Sequence, residues 1–224
     1  MGEATKRIIT HAQDVDIPAG GVWLRGDLNV PDRSAGVVLF AHGSGSSRHS
    51  PRNQFVAHTI REAGVGTLLF DLLTRDEEAV DIQTAHLRFD MAFLAQRLIG
   101  ATEWIKRELP SLRVGYFGSS TGGGAALVAA AVVGEAIGAV VSRGGRPDLA
   151  GPALAQVKSP TLLIVGGLDY PVIEMNEAAV DQLRCEKHMT IVPGATHLFE
   201  EPGTLEQVAS LAAEWFQRHL VPTE

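Results

Sequence analysis

The chain has 224 residues, of which 45% are hydrophobic and 20% charged, with 24 glycines and 11 prolines; this composition excludes disordered, collagen-like and coiled-coil chains. α/β chains of up to ~250 residues often form one domain, so residues 1–224 are read as a single domain with its own core, stable without disulfides or a structural metal. The 19 Lys and Arg against 26 Asp and Glu leave a net charge of -7, which argues against a surface that neutralises nucleic-acid phosphates or an anionic membrane and points to a small or neutral partner.

Met1 to Lys6 has no apolar run behind its charges, as a secretion signal would, and Lys6 stands where a myristoylation pattern needs Ser or Thr. Lys6 to Ile17 and Val22 to Val30, separated by Pro18-Ala19-Gly20-Gly21, read as two antiparallel opening strands. Short apolar runs flanked by glycine then alternate with longer stretches of helical period, the pattern of βα units on a parallel sheet. The runs are Val37 to Ala41, Gly66 to Phe70, Val114 to Phe117, Ala139 to Val141, Thr161 to Val165 and Met189 to Val192, giving eight strands with the opening pair.

Between them, Ser50 before Pro51 reads as an N-cap, with Phe55, Thr59 and Ile60 as the inward face of the helix. Leu87, Met91, Leu94, Leu98 and Ile105 form one stripe of a long helix whose outer face carries Arg88, Gln96 and Arg97. Gly122 to Val133 is apolar on every side, as a central helix should be, and its nine-residue stretch Ala125 to Val133 is far too short to cross a bilayer. Only about 20 residues separate the Val141 and Thr161 strands, which leaves no room there for a large lid. The last helix opens with Thr204 and Gln207 at capping-box spacing and buries Leu205, Val208, Leu211, Trp215 and Phe216. The lone Cys185 can form no internal disulfide and stands in no metal-ligand spacing, so the expected compartment is a reducing cytoplasm.

The strongest local signal is Gly118-Ser119-Ser120-Thr121-Gly122, a G-x-S-x-G directly after a strand and opening a helix. Such a turn strains its middle residue and needs neighbours without side chains, and it would leave the Ser120 hydroxyl exposed beside the Thr121 N–H. A serine alcohol needs a base to take its proton. His197, just beyond the final strand, is the favoured candidate; His42 in a strand-end turn is read as a loop buttress. Asp169 follows the penultimate strand and would fix the imidazole, with Asp148 as reserve and Asp71 as a loop acceptor. The order Ser120, Asp169, His197 is that of α/β-hydrolases. A second oxyanion donor is expected from the backbone of Ser44 in His42-Gly43-Ser44-Gly45; a P-loop is excluded because no Lys-Ser or Lys-Thr pair follows the glycines.

Together with His42 to Asn53, Ser142-Arg143-Gly144-Gly145-Arg146-Pro147-Asp148 and Gly194-Ala195-Thr196-His197-Leu198-Phe199, these motifs resemble the dienelactone hydrolase-like branch of the α/β-hydrolases, over nearly the whole chain from the third strand onward. The resemblance implies a three-layer α/β-hydrolase fold with a mostly parallel eight-stranded sheet, helices on both faces and no large lid. It also implies a small serine esterase with Ser120, Asp169 and His197 as triad; with Ser44 and Thr121 read from their positions as the oxyanion hole, the expected reaction needs no metal or organic cofactor. Dienelactone hydrolases proper carry a cysteine nucleophile where this chain has Ser120, so the expected substrates are other small, short-acyl esters. Relatives of this subgroup are also fused to phosphoribosyltransferase domains, which makes such a domain, or a second copy of the chain, the macromolecular partner to consider.

Arg48 and Arg52, with Arg143 and Arg146, could reach one rim; Arg48 and Arg143 are the candidates for binding a substrate carboxylate, against the alternative of structural ion pairs. Three rival readings remain. A thioesterase or acyltransferase would use the same triad, and a non-catalytic module would bind a ligand on the same fold. A nucleotide-dependent oxidoreductase would need a G-x-G-x-x-G at the first βα turn, which this chain lacks.

Overall fold

Gln13–Ala19 (β1) and Val22–Asn29 (β2) pair as an antiparallel hairpin, turned through Gly20 and Gly21 at φ 59° and 83°. The structure, a computed structural model, describes residues 13–222; the expected beginning of the first strand at residues 6–12, with His11, lies outside them. Six further strands follow: Gly36–Ala41 (β3), Gly66–Phe70 (β4), Arg113–Ser119 (β5), Ile137–Arg143 (β6), Thr161–Gly166 (β7) and Lys187–Val192 (β8). They form one sheet in the order β1-β2-β4-β3-β5-β6-β7-β8, in which β2 is antiparallel to β4 and the pairs from β4 onward are parallel.

The central strands read as continuous apolar runs because helices cover both of their faces. Phe40, Leu69, Phe117 and Val141 pack on one side against Pro51–Glu62 (α1) and Thr204–Leu220 (α6). Leu39, Leu68, Tyr116 and Val140 pack on the other against Met91–Glu108 (α3) and Thr121–Val133 (α4). Tyr170–Gln182 (α5) completes the second layer, and the short Arg75–Thr84 (α2) leaves the sheet to flank the carboxyl ends of the strands. The β6 to β7 connection holds only a 3-10 segment, Pro147–Gln156, kinked at Gly151, so no large lid arises there. Among the described residues no helix is long and apolar enough to cross a membrane.

Four local expectations are corrected. In α1 the buried residues are Asn53, Val56, Ala57 and Ile60, while Phe55 is turned outward; the small side chains at 56 and 57 let α1 lie against α6. Leu87 falls in a separate 3-10 turn, Leu87–Phe89, and α3 begins after Asp90, whose carboxylate accepts from Phe93 N–H at 3.0 Å. Arg97 is not on an outer face, because the β1–β2 hairpin covers it: its guanidinium donates to Ala19 O, pairs with Glu77 and stacks 4.5 Å from the Phe93 ring centroid. Finally, no capping box opens α6, since Gly203 is its N-cap and the Thr204 hydroxyl donates to Glu201 O at 2.7 Å. The reciprocal box sits instead at Thr74 and Glu77 and starts α2, a helix not foreseen above although its T-x-x-E spacing was legible.

The tightest glycine contact against backbone is between the first turn of α4 and the end of β3. A Cβ built on Gly122 would lie 2.1 Å from Ala41 O, and one on Gly118 2.5 Å from Gly122 O. Both obstacles are backbone, so neither can swing aside. Gly122→Ala should therefore cost at least the 1–3 kcal/mol typical of overpacking, lowering the melting temperature by roughly 2–4 °C per kcal/mol for a chain of this size. Thermal denaturation of the variant checks this, and an unchanged midpoint would contradict the packing.

Candidate active site

β5 ends in the tight turn that the two glycines permit, and Ser120 takes φ 52° and ψ -123°, a region costly to a residue with a side chain. Its backbone is held from three sides: Ser120 N–H donates to Arg143 O, and Ser120 O accepts from Gly123 and Arg146 N–H. Ser120 occupies the N-cap of α4 but its hydroxyl caps nothing, which leaves the oxygen free. It lies 3.4 Å from His197 Nε2, and His197 Nδ1 lies 2.6 Å from Asp169 Oδ2. Asp169 also stands at a helix N-cap, that of α5, and its carboxylate likewise makes no capping bond. The acceptor that would normally hold the helix end is spent on the imidazole. Donation of Nδ1–H to Asp169 leaves Nε2 as the acceptor facing the serine.

His197 is carried by the loop between β8 and α6. That loop is tied down by Glu201, whose carboxylate accepts from Thr196 Oγ1 at 2.6 Å and Thr196 N–H at 3.0 Å; these bonds, the hydroxyl first, hold the Glu201 pKa below its ordinary value. Phe199, buried at φ 55°, anchors the same loop in the core, and Gly144 lets β6 pass close to the imidazole, where a Cβ would sit 3.5 Å from Cε1. Glu201 was not foreseen above, and Phe199 entered only as the end of the His197 motif, without this role; their work is to hold a loop rather than to react.

The Ser44 N–H is where expectation and structure part. It is not a free donor: it donates to Thr121 Oγ1 at 3.0 Å, and the Ser44 and Thr121 hydroxyl oxygens are themselves 3.0 Å apart. The Thr121 N–H, in the first turn of α4, has no intrahelical acceptor and stays available. Ser44 and Thr121 form part of the wall of a cleft of about 310 Å³ between the loop after β3 and the α2 segment, which contributes Arg75, Glu78 and Ile82. The α2 wall is fixed by Asp81. Burial works against its charge, but bonds from the Arg88 side chain and from the Arg88 and Leu87 N–H groups win, and its pKa lies below the usual carboxylate range.

The other acids and arginines are accounted for. Asp148 accepts two bonds from Arg146 and does not serve as the reserve acid; Asp71 is held by Arg48. Arg48 lines the cleft, but its charge is spent on Asp71 and Asp27, and Arg52 pairs with Glu200. Arg143 does not line the cleft: it is 7% exposed, its guanidinium carbon 5.9 Å from the Phe199 ring centroid, and burial, helped by the nearby Arg52 charge, pushes its pKa down to about 10. The structure thus does not bring Arg48 and Arg143 together as a carboxylate clamp. Among the described residues no cluster of three His, Cys, Asp or Glu side chains is placed to hold a metal.

His42 buttresses the site as expected, donating from Nδ1 to Gly43 O at 3.0 Å and accepting from Leu72 N–H at Nε2 at 3.1 Å. This ties the loop after β3 to the segment after β4. Burial lowers its pKa from 6.5, although the Gly43 bond opposes the shift. The unfolded chain therefore takes up a proton that the folded one refuses, so the stability is full above about pH 6.5 and is lost as the pH falls below it. Denaturation midpoints should fall with acidification from pH 7 to 5. In His42→Gln the slope should be shallower, the remainder coming in part from His219, whose pKa burial also lowers. An identical slope in the variant would contradict the assignment.

Residues 24–220 match the dienelactone hydrolase family. A dienelactone hydrolase from Anabaena variabilis is 58% identical, with a TM-score of 0.92 over 94% of this chain and 98% of that one. Est1E from Butyrivibrio proteoclasticus, at 18% identity, superposes with a TM-score of 0.76 over 92% of this chain and 98% of its own. A serine hydrolase without lid from Xanthomonas campestris, at 19%, gives 0.75 over 97% and 99%; at these identities the likeness is one of fold. Two Mycobacterium tuberculosis proteins with phosphoribosyl transferase in their names are 56% identical over 210 residues, 93% of this chain but 46% of theirs, so the chain spans about half the length of these relatives. By sequence and by fold, the chain belongs to the dienelactone hydrolase family of α/β hydrolases.

Proposed function

We propose that the chain is a serine carboxylesterase that hydrolyses small, short-acyl esters through an acyl-enzyme. The observation that carries this reading is the unbroken line from Asp169 Oδ2 through His197 to Ser120 Oγ, at 2.6 and 3.4 Å. The longer contact is usual for a resting site, where such bonds tighten only with substrate. His197 Nε2 takes the Ser120 proton as Oγ attacks the ester carbon, and the carbonyl electron pair moves onto the oxygen beside the Thr121 N–H. Collapse expels the alcohol, protonated by His197; water then repeats the sequence and frees the acid. Side chains and backbone N–H groups carry every step.

The cleft of about 310 Å³ reaches the elbow at Thr121, but neither Ser120 nor His197 lines it. A size preference for acyl chains from acetate to hexanoate is part of the proposal, on the ground that the β6 to β7 connection holds no large lid. A thioesterase or acyltransferase would draw on the same line of side chains, and a comparison of oxygen esters, thioesters and added alcohol acceptors separates them. The phosphoribosyl transfer in the names of the longer relatives is assigned to the part of them outside the matched 210 residues, as a neighbouring domain.

Ser120→Ala should leave circular dichroism and melting temperature unchanged while lowering turnover of p-nitrophenyl acetate on the order of 10³-fold or more. Near-normal turnover would overturn the assignment of Ser120 as nucleophile, whereas a folded wild type with no turnover would favour a binding module. Asp169→Asn, with the wrong imidazole tautomer, should lose on the order of 10²-fold or more. In the wild type, kcat/KM should decline beyond six acyl carbons, and a rise towards long chains would contradict the size argument.

A further inference from the structure

The Ser44 N–H is already committed to Thr121 Oγ1, yet Ser44 stands in the cleft beside the nucleophile elbow. A count of protons says what the residue has left to give. Thr121 Oγ1 accepts from Ser44 N–H at 3.0 Å and lies 3.0 Å from Ser44 Oγ, and among the described residues these two atoms are its hydrogen-bond partners. The Thr121 residue is 4% exposed although it lines the cleft, so little water reaches its hydroxyl proton. A buried donor without an acceptor is costly, and Ser44 Oγ is the acceptor within reach. Only one proton can occupy the line between two hydroxyl oxygens. With Thr121 O–H donating to Ser44 Oγ, the Ser44 hydroxyl proton is left over, on an exposed residue that lines the cleft and has no other partner among the described residues.

We infer that the Ser44 hydroxyl is a side-chain donor to the oxyanion, charged by a one-way relay from Ser44 N–H to Thr121 O–H to Ser44 O–H. Each bond in such a chain polarises the next, so the last donor is stronger than an isolated serine hydroxyl. As Ser120 Oγ bonds to the ester carbon, the carbonyl oxygen gains the electron pair and accepts from Thr121 N–H and Ser44 O–H. No proton leaves the relay and its bonds keep their direction. The Thr121 side chain touches no substrate atom; it is a positioning residue that fixes which way the Ser44 proton points. The inference rests on the ester hydrolysis proposed above and assigns the second oxyanion donor of that site.

The test is steady-state hydrolysis of p-nitrophenyl acetate by Ser44→Ala, Thr121→Val, Thr121→Ser and the double variant Ser44→Ala/Thr121→Val, with inhibition by an aryl boronic acid as a second readout. Ser44→Ala should lower kcat about 10- to 10³-fold, the range for loss of one oxyanion donor, at nearly unchanged KM, and should weaken boronate binding in parallel. Thr121→Val should lose kcat in the same way and Thr121→Ser should recover it. The double variant should be no worse than the poorer single one, because one relay is broken once. Wild-type kcat in Ser44→Ala, a loss confined to KM, or multiplicative losses in the double variant would overturn the relay while the esterase reading stands. A folded wild type inert towards ester and boronate alike would overturn both.

Discussion

The site depends on one close approach, that of the α4 backbone at Gly122 to the end of β3 at Ala41. A helix that near to a strand leaves no ordinary turn between β5 and α4, and Ser120 is forced to positive φ as a result. The strain is held by the three backbone bonds around it and by the packing of both sheet faces, which no local rearrangement can relieve. The same approach carries the Thr121 side chain to the loop after β3, where its hydroxyl meets Ser44. One contact between glycine and carbonyl thus sets the exposure of the Ser120 hydroxyl and the meeting of Thr121 with Ser44 together.

Charge around this turn is arranged by subtraction. Asp71, Asp148, Asp81 and Glu200 are each engaged by an arginine, and Glu201 by Thr196. Among the acids singled out along the strand ends, Asp169 alone keeps its carboxylate for a histidine. Arg143 is the opposite case, a buried cation whose Nε and Nη1 have no hydrogen-bond partner among the described residues. Its backbone serves the elbow through the bond from Ser120 N–H, and nothing in the structure explains the choice of arginine side chain there.

The eight strands were legible because each central strand is buried on both faces and so appears as an unbroken apolar run between glycines. Ser120, Asp169 and His197 were legible because strand ends in a parallel sheet converge on one rim, so chain order and strand order together bring three distant residues into one line. What escaped was what depends on neighbours. Arg97 looks like a surface residue on a helical wheel, and only the hairpin laid over α3 buries it. Phe55 looks like a core residue, and only the approach of α6 to α1 turns it out. The Ser44 N–H looked free because periodicity says nothing about a side chain 77 positions away in the chain. The Thr74 to Glu77 spacing was present all along; it was passed over because α2 has no apolar stripe to announce a helix.

The most direct measurement is reaction of the folded wild-type chain with a fluorophosphonate, followed by mass spectrometry of its peptides. The account predicts one adduct per chain, on Ser120, formed far more slowly in His197→Ala. An adduct on another residue, or none while the protein remains folded, would contradict the claim that these side chains make an alcohol oxygen reactive.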